Sequence, residues 1–136
     1  MTSIQILSIQ VGRPQRLGSE DAAEGFQRAW TSAIYKDSVA GPVWVGRTQI
    51  RGDEQADLRV HGGPDKAVNL YPAEHLHSWA TELGLEAMPG GSFGENLTTA
   101  GLLEADVCIG DIFRAGQVVL QVSQPRGPCW KLARRW

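Results

Sequence analysis

A chain of 136 residues has room for one domain with a sizeable core and leaves little for a second. Its 13 basic and 15 acidic residues give a formal net charge of −2, so no global field favours nucleic acid or an anionic membrane surface, and neither is expected as a partner. No apolar run approaches the roughly 20 residues of a bilayer span, and two cysteines, Cys108 and Cys129, are too few for a disulfide framework. The start, Met1-Thr2-Ser3-Ile4-Gln5, lacks the basic-then-apolar pattern of a secretory leader, so a reducing, cytoplasmic setting is expected.

Sixteen glycines between short apolar runs predict tight turns and short strands. The run Ile4 to Ile9 predicts a strand that ends at Gly12-Arg13-Pro14. Residues 18–28 are polar and predict a surface loop or short helix. Thr31 to Tyr35 predicts a strand, Lys36-Asp37-Ser38 a loop, and Gly41-Pro42 a turn. Val43-Trp44-Val45 and Thr48-Gln49-Ile50 predict two strand pieces around Gly46. After the Gly/Pro loop His61-Gly62-Gly63-Pro64-Asp65-Lys66 comes a helix over Pro72 to Leu83. Leu76, Trp79, Ala80 and Leu83 share a face there, with Pro72 at the start and Gly84 at the end. A second glycine loop, Pro89 to Gly94, leads into Glu95-Asn96-Leu97-Thr98. Cys108 falls in a strand-like Val107-Cys108-Ile109 and reads as a small core residue. Ile112-Phe113-Arg114 and Val118 to Val122 predict a hairpin around Ala115-Gly116-Gln117. A helix-like segment begins near Pro128. Together these elements predict a β-barrel or rolled sheet with a helix packed on it.

The most informative stretch for chemistry is Gln124-Pro125-Arg126-Gly127-Pro128-Cys129-Trp130-Lys131. Pro128 suits the first position of a helix, which places Cys129 in its first turn, where free backbone N–H groups and the positive dipole end favour a thiolate. Arg126 and Lys131 add positive charge. A buried structural cysteine is the competing reading. The loop His61 to Lys66 is either an anion-binding set of N–H groups assisted by Lys66 or a tight turn with a solvated lysine. It lacks the Gly-Lys-Ser/Thr ending of a P-loop. Glu95 and Asn96 are placed either to bind a polar ligand or to satisfy loop backbone. Lys131, Arg134 and Arg135 form a short basic patch, read as a solvated helix face or as an attractor for a phosphorylated ligand. His75 and His77 are two apart on the predicted helix and point different ways, and no paired cysteine motif accompanies them, which argues against a zinc site. No nucleophile elbow supports a serine hydrolase.

Three blocks in order resemble the MOSC domain, the module named from the C-terminal part of molybdenum-cofactor sulfurase. They are Val60-His61-Gly62-Gly63-Pro64-Asp65-Lys66-Ala67-Val68 with Tyr71-Pro72; Phe93-Gly94-Glu95-Asn96-Leu97-Thr98; and Ile109-Gly110-Asp111 through to Gln124-Pro125-Arg126 and Pro128-Cys129-Trp130-Lys131. Over most of the chain, order and spacing are similar to the stand-alone YiiM-like bacterial subgroup. The resemblance implies a single, mostly β domain with helices, a distorted barrel-like mixed sheet with helices packed around it. It implies that Cys129 binds the metal of molybdenum cofactor (molybdopterin) or carries sulfur for it. His61, Asp65, Lys66, Glu95, Asn96, Arg126 and Lys131 become candidates for lining the cofactor pocket. Stand-alone relatives continue well beyond the cysteine helix, so a chain shortened at its C-terminal side is expected.

Three functions follow from the resemblance. The first is a molybdenum-cofactor-dependent reductase of N-hydroxylated compounds, such as N-hydroxylated purines, fed by an electron-donor protein. The second is a sulfur carrier that takes a persulfide onto Cys129 from a cysteine desulfurase. The third is a non-catalytic cofactor-binding module. Pyridoxal phosphate binding attaches to the family as an association only.

Overall fold

The computed structural model describes residues 3–136; the start of the chain, including Met1 and Thr2, on which the leader expectation partly rests, lies outside them in part. Strand β1 (Gln5–Val11) alternates polar and β-branched residues except at Leu7, and forms the spine of a four-stranded sheet. The sheet order is β4 (Asp37–Ser38), β1, β6 (Leu97–Ala100), β5 (Leu70–Pro72). β1 is antiparallel to both β4 and β6, with a bulge between Ile6 and Ser8, while β5 runs parallel to β6. β2 (Gln15–Leu17) and β3 (Trp30–Ser32) form a separate pair. β7 (Ile112–Ala115) and β8 (Val118–Gln121) form a third, antiparallel unit. Gly116, at φ +61°, takes the first of its two turn positions, where type II′ hairpins place glycine.

The expected β-rich fold with helices is present, but among the described residues the three sheets do not close into a barrel. The Val43 to Ile50 segment, expected as two strand pieces, contributes only the single bridge Val45–Ile50. The Gly46 N–H closes on the Gln49 carbonyl at 2.8 Å, so the chain turns back at once and leaves room for no longer ladder. Lys36-Asp37-Ser38 is not a loop: Asp37 and Ser38 extend along β1, and the Val39 N–H continues the ladder to the Ile9 carbonyl at 2.9 Å. The strand expected from Thr31 to Tyr35 lies at Trp30–Ser32 instead.

Helix α1 (Ala73–Leu83) follows directly from β5, with Pro72 in extended backbone before it. Gly84 ends it at φ +66°, and the N–H groups of Gly84 and Leu85 close on the Thr81 and Ala80 carbonyls at 3.2 and 2.9 Å. Leu76 and Ala80 are buried with Met88, and Tyr71 and Phe93 pack against them. Trp79 and Leu83, expected on the same buried face, are 41% and 42% exposed. Trp79 instead donates its indole N–H to the Tyr71 hydroxyl at 3.0 Å. Cys108 is not a core residue. It lies exposed outside any strand, where its N–H bonds the Asp111 carboxylate at 2.8 Å. Among the described residues no helix is long and apolar enough to cross a membrane.

Candidate functional site

Two loops meet at one end of the molecule. The first is His61 to Lys66, with Gly62 and Gly63 both at φ +85°, a conformation that suits glycine, and a short 3-10 turn over Pro64–Lys66. The second is Ser123 to Cys129, which leaves β8 and enters helix α2 (Trp130–Arg135). A small polar tie joins them: the Asp65 carbonyl accepts from the Ser123 hydroxyl at 2.5 Å and from the Gln124 amide at 3.4 Å. Between the loops lies a hollow of about 200 Å³. Val60, His61, Lys66, Arg126 and Cys129 line it, with Gln124, Pro125, Gly127 and Pro128 between them.

Cys129 is the residue before α2 and has extended backbone, so it caps the helix instead of sitting in its first turn. Helix α2 has only six residues, yet basic side chains fix it to the body of the protein. Lys131 donates to the Thr31 carbonyl at 2.7 Å. Arg134 reaches the Arg28 carbonyl at 3.0 Å and also bonds the Gly25 carbonyl. Arg135 bridges the Ile34 and Gly91 carbonyls, each at 2.8 Å, and the Trp136 indole bonds the Ser92 carbonyl at 2.8 Å. The lysine and arginine bonds are charge-assisted, and all of them end on backbone carbonyls of other segments. The C-terminal basic patch is thus a latch that positions Cys129, and Lys131 itself does not line the hollow.

The electrostatics of the hollow are one-sided. Among the described residues no carboxylate lies within salt-bridge distance of Lys66, Arg126 or Lys131. Arg59 is already matched: its guanidinium clasps Asp57 at 2.9 Å through two nitrogens and holds that carboxyl at about 2. Lys66 donates to the Val60 carbonyl at 2.7 Å, which leaves its charge uncancelled. Arg126 keeps more than a third of its surface accessible, but the protein around its guanidinium lowers its pKa by desolvation; Cys129 and the more distant Asp53 act in the opposite direction. The Arg126 Nη2 faces His61 Nδ1 at 3.5 Å. A guanidinium only donates, so this contact is favourable with the lone pair on Nδ1. Burial first, then Arg126, Lys131 and Lys66, hold His61 below its ordinary value near 6.5, with Asp57 opposing. The imidazole is therefore neutral at physiological pH.

Of the residues singled out from the sequence, His61, Lys66, Arg126 and Cys129 come together here. Asp65 contributes its backbone carbonyl, not its carboxylate. Glu95 and Asn96 lie elsewhere and face inward. Glu95 is fully buried and accepts from the Gly91 and Phe93 N–H groups at 2.6 and 3.0 Å and from the Thr98 hydroxyl at 3.0 Å. Asn96 accepts from the Asn69 N–H at 3.0 Å and donates to the Gln10 carbonyl at 3.2 Å. Sequence reasoning passed over Ser123 and the buried Asp53, because an isolated Ser or Asp in a loop carries no local pattern.

The MOSC domain model matches residues 57–136, which include both loops and α2. This chain belongs to the MOSC domain family. The uncharacterized protein YflK of Bacillus subtilis is 46% identical over 131 residues, covering 96% of this chain and 56% of YflK. A protein of Gibberella moniliformis named "Reductase" is 44% identical over 109 residues, 78% of this chain and 19% of that protein. The crystal structure of YiiM from Geobacillus stearothermophilus superposes with a TM-score of 0.70 at 42% identity, covering 98% of this chain and 56% of YiiM. The MOSC chain therefore spans about half the length of YflK and YiiM.

Proposed function

We propose that this MOSC chain is the cofactor-holding part of a molybdenum-cofactor-dependent oxidoreductase that reduces N-hydroxylated compounds, with Cys129 as the metal ligand. The observation that carries the reading is the company Cys129 keeps: a soft sulfur donor and the cations Lys66 and Arg126 on one hollow, with no carboxylate among the described residues paired to either cation. That donor set fits a thiolate-ligated metal joined to a phosphorylated organic group. The hollow of about 200 Å³ is smaller than the several hundred Å³ usual for a whole ligand, and so suits only the part of the group that carries the metal and the phosphate.

When bound, the cofactor supplies a two-electron redox centre. The chain's own residues do the rest. Cys129 Sγ would hold the metal, Arg126 and Lys66 would hold the phosphate, and neutral His61 would keep its lone pair toward Arg126. The overall change is balanced: two electrons from a donor protein and two protons enter, the N–O bond breaks, and the oxygen leaves as water beside the amine. The fungal relative named a reductase supports the reaction class. Two unpaired cysteines support a cytoplasmic location.

The test is reduction of an N-hydroxylated purine by cofactor-loaded protein with a chemical electron donor. Formation of the amine by wild type, and not by Cys129→Ser, supports the proposal. No turnover, together with a mass gain of one sulfur on Cys129, overturns it in favour of a sulfur carrier.

A further inference from the structure

The MOSC match begins at residue 57, but part of the hollow's foundation comes from before it. Asp53 is almost fully buried. One carboxylate oxygen accepts from the Lys36 ammonium at 2.5 Å and from the Gly12 N–H at 2.9 Å. Lys36 and Asp53 side chains are 7% and 2% exposed, so the pair is locked away from solvent screening. The other carboxylate oxygen accepts from the Gln55 amide nitrogen at 3.4 Å. The far end of Gln55 then lies directly under the first loop of the hollow: a β-carbon placed on Gly62 would stand 2.6 Å from Gln55 Oε1 and 3.1 Å from its Cδ. Gly62 is joined to His61, and His61 faces Arg126. A continuous line of contacts therefore runs from a buried ion pair, through one amide side chain, to the imidazole of the site.

From these contacts we infer that Gln55, anchored through Asp53 to Lys36, is a positioning residue that sets His61 against Arg126 and so shapes the hollow beside Cys129. The inference deepens the proposed function and rests on the reading of that hollow as the ligand site. The buried pair is suited to the task. Its two charges face each other out of reach of solvent, so it holds Gln55 in place. The glycine at 62 lets the loop backbone close on the amide, which any larger residue would push aside. Gln55 is only half-buried and sits in a loop, so its replacement spares the sheet and the core.

The His61 ring reports its own placement. Its pKa is held down by burial and by Arg126, Lys131 and Lys66, with Asp57 opposing. A loop freed from Gln55 exposes the ring and separates it from those cations. The experiment is an NMR titration of the three histidines in the full chain, in wild type, Gln55→Ala and Gln55→Met. The inference expects the His61 midpoint to rise toward the ordinary histidine value in Gln55→Ala, to rise less in Gln55→Met, which keeps the bulk under Gly62, and the midpoints of His75 and His77 to stay in place. A His61 midpoint identical to wild type in both variants overturns it. The titration needs no metal or cofactor, so it succeeds or fails independently of the molybdenum reading.

Discussion

Two glycine loops in this chain look alike in sequence and do opposite things. His61 to Lys66 and Pro89 to Gly94 each pair two adjacent glycines with a proline and acidic or basic neighbours. The first loop turns its side chains outward, so His61 and Lys66 reach the hollow with Arg126 and Cys129. The second is folded around a carboxylate: Glu95 collects the Gly91 and Phe93 N–H groups and the Thr98 hydroxyl with no exposed surface left. The difference lies in where each loop's backbone finds its partners. The first finds them across the chain, through the Asp65 carbonyl and the Ser123 hydroxyl, which frees its side chains. The second lies against Ser8 and Gln10 of β1 and gives its Gly91 and Ser92 carbonyls to Arg135 and Trp136, while its N–H groups close on the Glu95 carboxylate, which is used up inside.

The largest effect that tests this contrast is at Glu95. Glu95→Ala strands buried donors, and the expected loss is about 3 kcal/mol of stability in chemical denaturation. A loss under about 0.5 kcal/mol, the range of ordinary surface changes, would mean that the second loop does not depend on its carboxylate. Next is Arg135→Ala, which removes the bonds to the Ile34 and Gly91 carbonyls. It is expected to cost about 1–3 kcal/mol and to speed alkylation of Cys129, because the latch holds α2. An unchanged alkylation rate would separate the latch from the thiol. Lys66→Ala belongs to the open loop and is expected to shift stability by no more than about 0.5 kcal/mol while weakening cofactor binding in an equilibrium titration. Unchanged affinity would remove Lys66 from the site.

The smallest effect is pH-dependent. His61 titrates lower in the folded protein than in the unfolded chain, so the unfolded state takes up the proton first as pH falls. Stability is complete above about 6.5 and declines as pH drops through that value toward the lower folded one. Thermal melts between pH 7 and pH 5 are expected to fall less steeply for His61→Gln than for wild type. Parallel curves would place His61 in a solvent-like setting.

Much of the fold is legible because local rules govern it. The α1 boundaries follow from Pro72 and Gly84, and the β7–β8 hairpin follows from alternation around Gly116. The separation of the sheets was not legible, since strand pairing between distant segments leaves no mark in either one. Cys129 and Arg126 stood out because Pro125 and Pro128 frame a turn into a helix. His61 and Lys66 could be named as neighbours in sequence, but their meeting with Arg126 depends on the tie between Ser123 and Asp65, which no local pattern announces. Glu95 and Asn96 were ambiguous for the same reason: a polar residue after a glycine loop has the same sequence whether it faces a ligand or its own backbone.

The proposed function turns on the sulfur at position 129. Elemental mass spectrometry of the full chain, purified from cells that supply molybdenum cofactor, compares wild type with Cys129→Ser directly. Molybdenum bound to wild type and lost from the serine variant is the predicted result. Equal molybdenum in both proteins, or none in either while a control molybdoenzyme from the same cells is loaded, would contradict the account.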